Sequence, residues 1–176
     1  METKPEALIV EAAQNGHLAS FGVLYERYYG CMVALAYSVL GDRGLSEDAA
    51  QETFATACRD LPNLKSKDKF ANWLAGICRN TAKQMQRSEN RFAALNDDAP
   101  AKDERDNHGD LIRQAVWKLR VVHREAIVLR YYNGLSYEQI SATLGISQQA
   151  VHGRLTRAKR KIAKYLKRNS FTGGEL

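Results

Sequence analysis

Residues 134–155 spell two short helices around a glycine and then run into a dense block of cations, a pattern that few folds accommodate. Ser136 and Gln139 have capping-box spacing: the hydroxyl accepts an orphan backbone N–H while the Gln side chain reaches back to the Ser N–H. Ser147 is placed to cap the second helix in the simpler way. Gly145 falls between them, where the chain must turn and a side chain would be penalised at positive φ. Beyond the turn, Val151, Leu155, Ala158 and Ile162 recur at four, three and four, so they form one apolar stripe facing Ile140 and Leu144. Gln149, His152, Gly153, Thr156, Arg157 and Arg160 are left on the opposite face. This is the pattern of a helix-turn-helix, whose second helix enters the major groove with the start of the helix on base edges and flanking cations on phosphates. The plainer reading is an amphipathic hairpin with solvated charges.

The charge distribution favours the first reading. The net charge of +6 conceals a block at 111–168 with thirteen Lys and Arg against only Glu125 and Glu138, a balance of +11. Residues 1–110 carry thirteen cations and seventeen anions, a balance of −4. A basic block on a helix-turn-helix suits a surface that releases counterions from a polyanion. The N-terminal part must serve a different purpose.

Three prolines, twelve glycines and few β-branched runs point to an all-α chain. No apolar run approaches membrane-spanning length, and the first residues lack a signal-peptide pattern, so a cytoplasmic location without membrane insertion is expected. Cys31, Cys58 and Cys78 are odd in number and widely spaced, which supports neither a disulfide framework nor a zinc site. They read as core thiols. No pattern calls for a metal or another cofactor.

Large apolar residues nearly vanish over 93–110, which holds six acids against Lys102 and Arg105. Such a stretch cannot bury enough surface to fold alone and reads as a flexible acidic linker between two small helical domains, 1–92 and 111–168, with 169–176 as a tail. In the first domain Pro5 opens a helix to about Gln14, and a long helix spans 18–40 with Phe21, Leu24, Tyr25, Tyr28, Met32, Leu35, Ala36 and Val39 on one face. Ser46 is expected to cap a third helix to about Asp60 with Ala49, Ala50, Phe54 and Ala57 inward. A lysine-bearing loop at 61–69 follows, then a fourth helix from Phe70 whose inward set reads Phe70, Trp73, Leu74, Ile77, Thr81 and Met85.

Two polar features stand out here. Arg79, Lys83 and Arg87 share a helix face, with Asn80 and Gln84 beside them; joined to Lys65, Lys67 and Lys69, they suit a groove that tracks a phosphate backbone, or else a solvated face. Asp48, Gln51 and Glu52 project from the third helix with no basic residue four positions on. By themselves they read as a solvated helix face.

Six segments, in order, give these features a common meaning. They are Phe21-x-x-Leu24-Tyr25-x-x-Tyr28, Gly41-Asp42-Arg43 leading to Glu47-Asp48-Ala49-Ala50-Gln51-Glu52-Thr53-Phe54, and Phe70-x-x-Trp73-Leu74-x-x-Ile77-x-Arg79-Asn80. Then come Arg124-Glu125 through Arg130-Tyr131, Gly134-Leu135-Ser136-Tyr137, and Arg154-Leu155-x-Arg157-Ala158. Together they resemble the sigma-70 family of bacterial transcription initiation factors, in the small extracytoplasmic-function (ECF) group that has only regions 2 and 4. The resemblance covers nearly the whole chain.

The resemblance implies a non-enzymatic subunit that binds core RNA polymerase through its clamp coiled coil and flap. Asp48, Gln51 and Glu52 fall where the family meets the clamp, and polar groups suit a contact that must later be released. Residues 62–87 match the part that melts the minus-ten element and holds single-stranded promoter DNA, with Asn80, Lys83 and the lysine loop as the working residues. Trp73 falls in the family's core rather than on a stacking platform. His152, Gly153, Thr156 and Arg157 match the face that reads the duplex minus-thirty-five element; Arg154, Arg160 and Lys161 suit phosphates. Members often carry a basic residue and Ser where this chain has His152 and Gly153, and Pro where it has Arg120. The acidic linker resembles the connector that threads toward the RNA path, and the resemblance implies an anti-sigma partner. A free-standing helix-turn-helix regulator and a DNA-acting enzyme remain the alternatives, although the second lacks clustered nucleophiles or metal carboxylates.

Overall fold

The computed structural model describes residues 5–95 and 111–170, so most of the acidic linker and the last six tail residues lie outside the described residues. Every regular element among those residues is helical. The chain divides into two units, one ending at Leu95 and one beginning at Asn96.

In the first unit α1 (Glu6–Gln14) follows Pro5, whose fixed φ suits a helix entry. Next, α2 (Leu18–Leu40) begins behind His17, whose ring nitrogen Nδ1 accepts the Ser20 N–H at 3.2 Å. It stops at Gly41, which sits at φ 72 where a Cβ would be strained. Then α3 (Arg43–Asp60) and α4 (Phe70–Leu95) are joined through two short 3-10 turns, Leu61–Asn63 and Lys67–Lys69.

The cap of α3 differs from the sequence expectation. Asp42, not Ser46, sits at the N-cap, with its carboxylate accepting the Leu45 N–H at 2.8 Å. Ser46 lies a turn inside, fully buried, and its hydroxyl returns to the Asp42 carbonyl. An Asp directly after a helix-stopping glycine serves both neighbours: the glycine ends α2 and the carboxylate starts α3 with no intervening loop.

Helices α2, α3 and α4 pack against one another in all three pairings, with α1 laid on α2. Leu24, Met32 and Leu35 of α2, Ala49, Ala50 and Ala57 of α3, and Phe70, Leu74, Ala75, Cys78 and Ala82 of α4 are fully buried. The inward stripe of α4 is therefore rotated from the one expected. Trp73, Ile77, Thr81 and Met85 are only half-buried on its flank, while Ala75, Cys78 and Ala82 occupy the centre. Small residues at a three-helix junction let the axes approach, so size rather than hydropathy selects the central row.

Polar ties fix the periphery. Glu6 accepts from Tyr28 Oη at 2.5 Å and pairs with Arg27 at 3.2 Å, joining α1 to α2. Burial first, and then the bond to Glu6, raise the Tyr28 phenol well above its ordinary pKa. Gln14 donates to the carbonyls of Leu61 and Leu64, and Gln86 donates to that of Val39 at the end of α2.

The second unit contains α5 (Leu111–Trp117), α6 (Val121–Tyr131), α7 (Tyr137–Leu144) and α8 (Gln148–Ser170). In α6 every side chain from His123 to Leu129 is buried, including Arg124 and Glu125. The Arg124 guanidinium lies 3.7 Å from the Trp117 ring centroid and donates to the Trp117 carbonyl at 3.0 Å, a cation-π contact that holds α5 on α6. Tyr165 of α8 donates to Gln114 of α5 at 3.1 Å.

The rotated stripe has a measurable consequence. Ala82→Leu should overpack the junction and lower the stability of the first unit by about 1–3 kcal/mol. Thr81→Leu, one residue away on the flank, should cost less than about 1 kcal/mol. Urea unfolding followed at Trp73 fluorescence gives both values; equal costs would return the stripe to the register first expected.

Candidate nucleic-acid interface

The turn between α7 and α8 is built as its residues dictate. Both halves of the capping box form, Gln139 N–H to Ser136 Oγ at 3.2 Å and Ser136 N–H to Gln139 Oε1 at 2.8 Å. Gly145 ends α7 at φ 65, and Ser147 Oγ accepts the Ala150 N–H at 3.1 Å to start α8. Val151, Leu155 and Ala158 are buried against this hairpin with Ile140 and Leu144, whereas Ile162 is half-buried.

That packing turns the remaining face of α8 outward. Gln149, His152, Thr156, Arg157, Arg160 and Lys161 are exposed, and Gly153 and Arg154 are partly so. Gln149, Gly153, Arg154 and Arg157 line an open notch of about 360 Å³ with Ser147 and Ala150. The His152 ring lies 6.2 Å from that of Tyr137 at an interplanar angle of 30°. Tyr137 is in turn backed by the Arg130 guanidinium at 5.5 Å, which also donates to the Leu135 carbonyl at 2.8 Å. The row Arg130, Tyr137 and His152 thus runs from the α6 terminus to the outer face of α8.

Gly153 has no role in the fold that a larger residue would forbid. A methyl group there would meet only the Arg157 guanidinium, at 3.8 Å, an ordinary contact. Without a side chain the glycine leaves the notch open, and Arg157 also lines it.

In the first unit a second open groove, about 550 Å³, runs along α4 and is lined by Asn80, Lys83, Gln84, Arg87, Ser88 and Arg91. Arg91 was legible in the sequence, because it continues the four-residue spacing of 79, 83 and 87. Arg79 is half-buried and lies outside this lining. None of the three loop lysines lines this groove: Lys69 ends the turn before α4, and ten residues of helix carry Arg79 about 15 Å farther along. Lys67 is paired with Glu11 of α1, so it braces the loop. Lys65 and Lys69 are exposed.

Asp48, Gln51 and Glu52 are all exposed on α3, with Ala49, Ala50, Thr53 and Phe54 buried behind them. Phe54 anchors an aromatic cluster that the sequence reading treated as core. Tyr25 lies 4.7 Å from it, Phe21 6.4 Å, and Tyr25 and Tyr29 stack at 5.0 Å; Tyr25 keeps 37% of its surface. The polar row on α3 therefore borders a partly open aromatic patch.

The cysteines divide. Cys78 is buried and donates to the Met32 carbonyl at 3.3 Å, Cys31 is half-buried, and Cys58 is exposed, so a core role fits Cys78 and fails for Cys58. Position 58 follows the inward Ala57 by one residue and is turned out of the junction. Among the described residues no group of three or more His, Cys, Asp and Glu is placed to hold a metal ion.

Comparison with known proteins matches two family models. Sigma-70 region 2 matches residues 24–92 and Sigma-70, region 4 matches residues 109–162. The ECF RNA polymerase sigma-E factor of Salmonella typhimurium is 30% identical over 182 residues, covering 92% of this chain and 94% of that protein. The RNA polymerase sigma-H factor of Pseudomonas aeruginosa is 29% identical over 178 residues, covering 90% and 92%. Among solved structures, the sigma factor RpoE in complex with the anti-sigma factor NepR from Bartonella quintana superposes with a TM-score of 0.72 at 23% identity, covering 84% of this chain and 96% of that one. That structure shares the fold.

Because nothing in the protein crowds position 153, Gly153→Ala should stabilise α8 by about 0.5–1 kcal/mol through helix propensity alone. A urea midpoint shifted upward would establish this. A downward shift would mean that the glycine serves the free fold.

Proposed function

The chain belongs to the sigma-70 family of RNA polymerase sigma factors, in its ECF group, and from that membership we propose how its surfaces share the work of initiation. As a sigma factor it binds core RNA polymerase and directs it to promoters. In this reading Asp48, Gln51 and Glu52 dock on the clamp coiled coil, with the Tyr25 and Phe54 aromatics beside them as an apolar anchor for a polar, reversible contact. The second unit meets the flap.

Asn80, Lys83 and Arg87 hold the displaced strand of the minus-ten element in the α4 groove, where an unpaired strand offers bases and phosphates together. Lys65, Lys69 and Arg79 meet the DNA backbone, while Lys67, tied to Glu11, also braces its loop. The α8 face reads the minus-thirty-five duplex through Gln149, His152, Gly153, Thr156 and Arg157, with Arg154, Arg160 and Lys161 on phosphates. The single observation that carries this assignment is the capped α7–α8 turn, which turns a cation-lined notch outward at the start of the second helix.

On this reading the protein supplies sequence choice and strand separation, and bond formation stays with the polymerase. It works in the bacterial cytoplasm; no described helix is long and apolar enough to cross a membrane. An anti-sigma factor, like the one bound to the Bartonella quintana relative, would hold it inactive by covering these surfaces. The acidic stretch 93–110 serves as the connector.

Run-off transcription with purified core polymerase on a promoter library tests the assignment. The wild-type chain should initiate at a defined promoter. Arg157→Ala should lose about 1–3 kcal/mol, roughly 5- to 150-fold, and relax preference at one base pair. Lys161→Ala should weaken all duplexes evenly and lower the salt slope by about one. Initiation at no template, or binding of a specific duplex that polymerase does not improve, would favour a free-standing regulator.

A further inference from the structure

Gln14 is the last residue of α1, and its carboxamide nitrogen donates to two carbonyls that lie 47 and 50 residues along the chain: Leu61 at 3.0 Å and Leu64 at 2.8 Å. These carbonyls open and follow the first 3-10 turn between α3 and α4. About one turn earlier on α1, Glu11 pairs with Lys67 in the second 3-10 turn. Both turns are therefore held from outside by the same end of one helix.

The segment gains from that hold. Its own backbone closes with the Leu64 N–H on the Leu61 carbonyl and the Lys69 N–H on the Ser66 carbonyl, each at 3.0 Å, while Leu64 and Ser66 are extended between the turns. A single turn fixes several residues for one hydrogen bond, so it is weak by itself. A carboxamide carries two N–H donors on one nitrogen, which lets Gln14 serve both carbonyls at once. The Glu11–Lys67 pair is partly exposed, and such pairs add little stability; its effect lies in where it holds the chain. At its other end α1 is fastened to α2 through Glu6, with Ile9 and Val10 buried between. Lys65 and Lys69 stand exposed on the segment so held.

We propose that Gln14, with Glu11, is a positioning residue for promoter opening: α1 keeps the 61–69 segment in the shape in which Lys65 and Lys69 receive phosphates of the unpaired strand. The inference rests on the reading of those two lysines as contacts to that strand. A loose segment must give up its freedom when the strand binds, whereas one already held gives up less, so affinity rises without a new contact. Duplex reading belongs to the second unit and docking on the polymerase to α3. The hold that α1 exerts is thus felt at strand separation.

The test uses the full chain assembled with core RNA polymerase. The probe is a labelled single strand carrying the non-template minus-ten segment of a promoter that the wild-type chain uses in run-off transcription. Gln14→Leu should weaken the holoenzyme's affinity for this strand about ten-fold, as expected for two hydrogen bonds lost from the held state. Affinity for core polymerase and for a minus-thirty-five duplex should stay unchanged. Urea unfolding identifies the folded variants; should Gln14→Leu not fold, Gln14→Ala carries the same expectation. Hydrogen exchange at the Leu64 and Lys69 amides should quicken in the Gln14 variant. Tyr28→Phe loosens the opposite end of α1 and should lower the urea midpoint while leaving strand affinity as in wild type. Equal loss of strand affinity from both substitutions would reduce α1 to a prop for the fold and overturn the proposal. With Lys65→Ala and Lys69→Ala already in place, Gln14→Leu should cost less than about two-fold, because the cations it places are gone. A second ten-fold loss in that background would show that Gln14 works through other groups, and would also overturn it. Strand bound by the Gln14 variant as tightly as by wild type would overturn the positioning role and leave the reading of the loop standing. If Lys65→Ala and Lys69→Ala together cost no strand affinity, that reading falls as well.

Discussion

Close approach of three helices over small side chains underlies the first unit. Ala49, Ala50 and Ala57 of α3 and Ala75, Cys78 and Ala82 of α4 are all fully buried. Leucines in those places would fill the same space only by pushing the axes apart, since packed helices separate according to the side chains at their contact. Because the junction needs so little of each helix's circumference, α3 and α4 keep wide outer faces for other work. On α3 that face carries Asp48, Gln51 and Glu52; on α4 it carries the groove from Asn80 to Arg91. The faces proposed for docking and strand holding are those that a narrow core leaves free.

The second unit solves a different problem, since three of its four helices are short and the outer face of the long one is cationic. Here α6 is buried along most of its length and carries Arg124 and Glu125 inside with it. Burying an arginine is tolerable because its planar head stacks on Trp117 and donates to that residue's carbonyl. The unit thereby gains a rigid centre on which α7 and α8 are set, and α8 can present its cations without having to stabilise itself.

Sequence and structure agree wherever local chemistry decides the outcome. Ser136, Gln139, Gly145 and Ser147 act through partners at most four residues away, so the α7–α8 turn was legible to the residue. The extent of α2 was equally plain, set by Gly41. Disagreement begins where two local signals compete, or where the partner is remote. Ser46 and Asp42 are both good N-caps, and only the direct passage from α2 into α3 selects Asp42. The α4 stripe was misjudged because hydropathy ranks Trp73 and Ile77 above Ala82, whereas the junction selects by volume. The pairing of Lys67 with Glu11 was not legible, because nothing near it in the chain announces a partner 56 residues earlier. Burial of His123 beside α8 is invisible for the same reason.

The placement of the three thiols gives the chain an internal contrast in chemical lifetime. Cys58 lies open on α3, whereas Cys78 sits under the three-helix junction, where burial pushes its thiol up to about 12 and keeps the nucleophilic thiolate scarce. An oxidant or alkylating agent that consumes the first has no path to the second until the helices part. Damage to the exposed sulfur is thus a surface event, while damage to the hidden one records that the helices around it have opened.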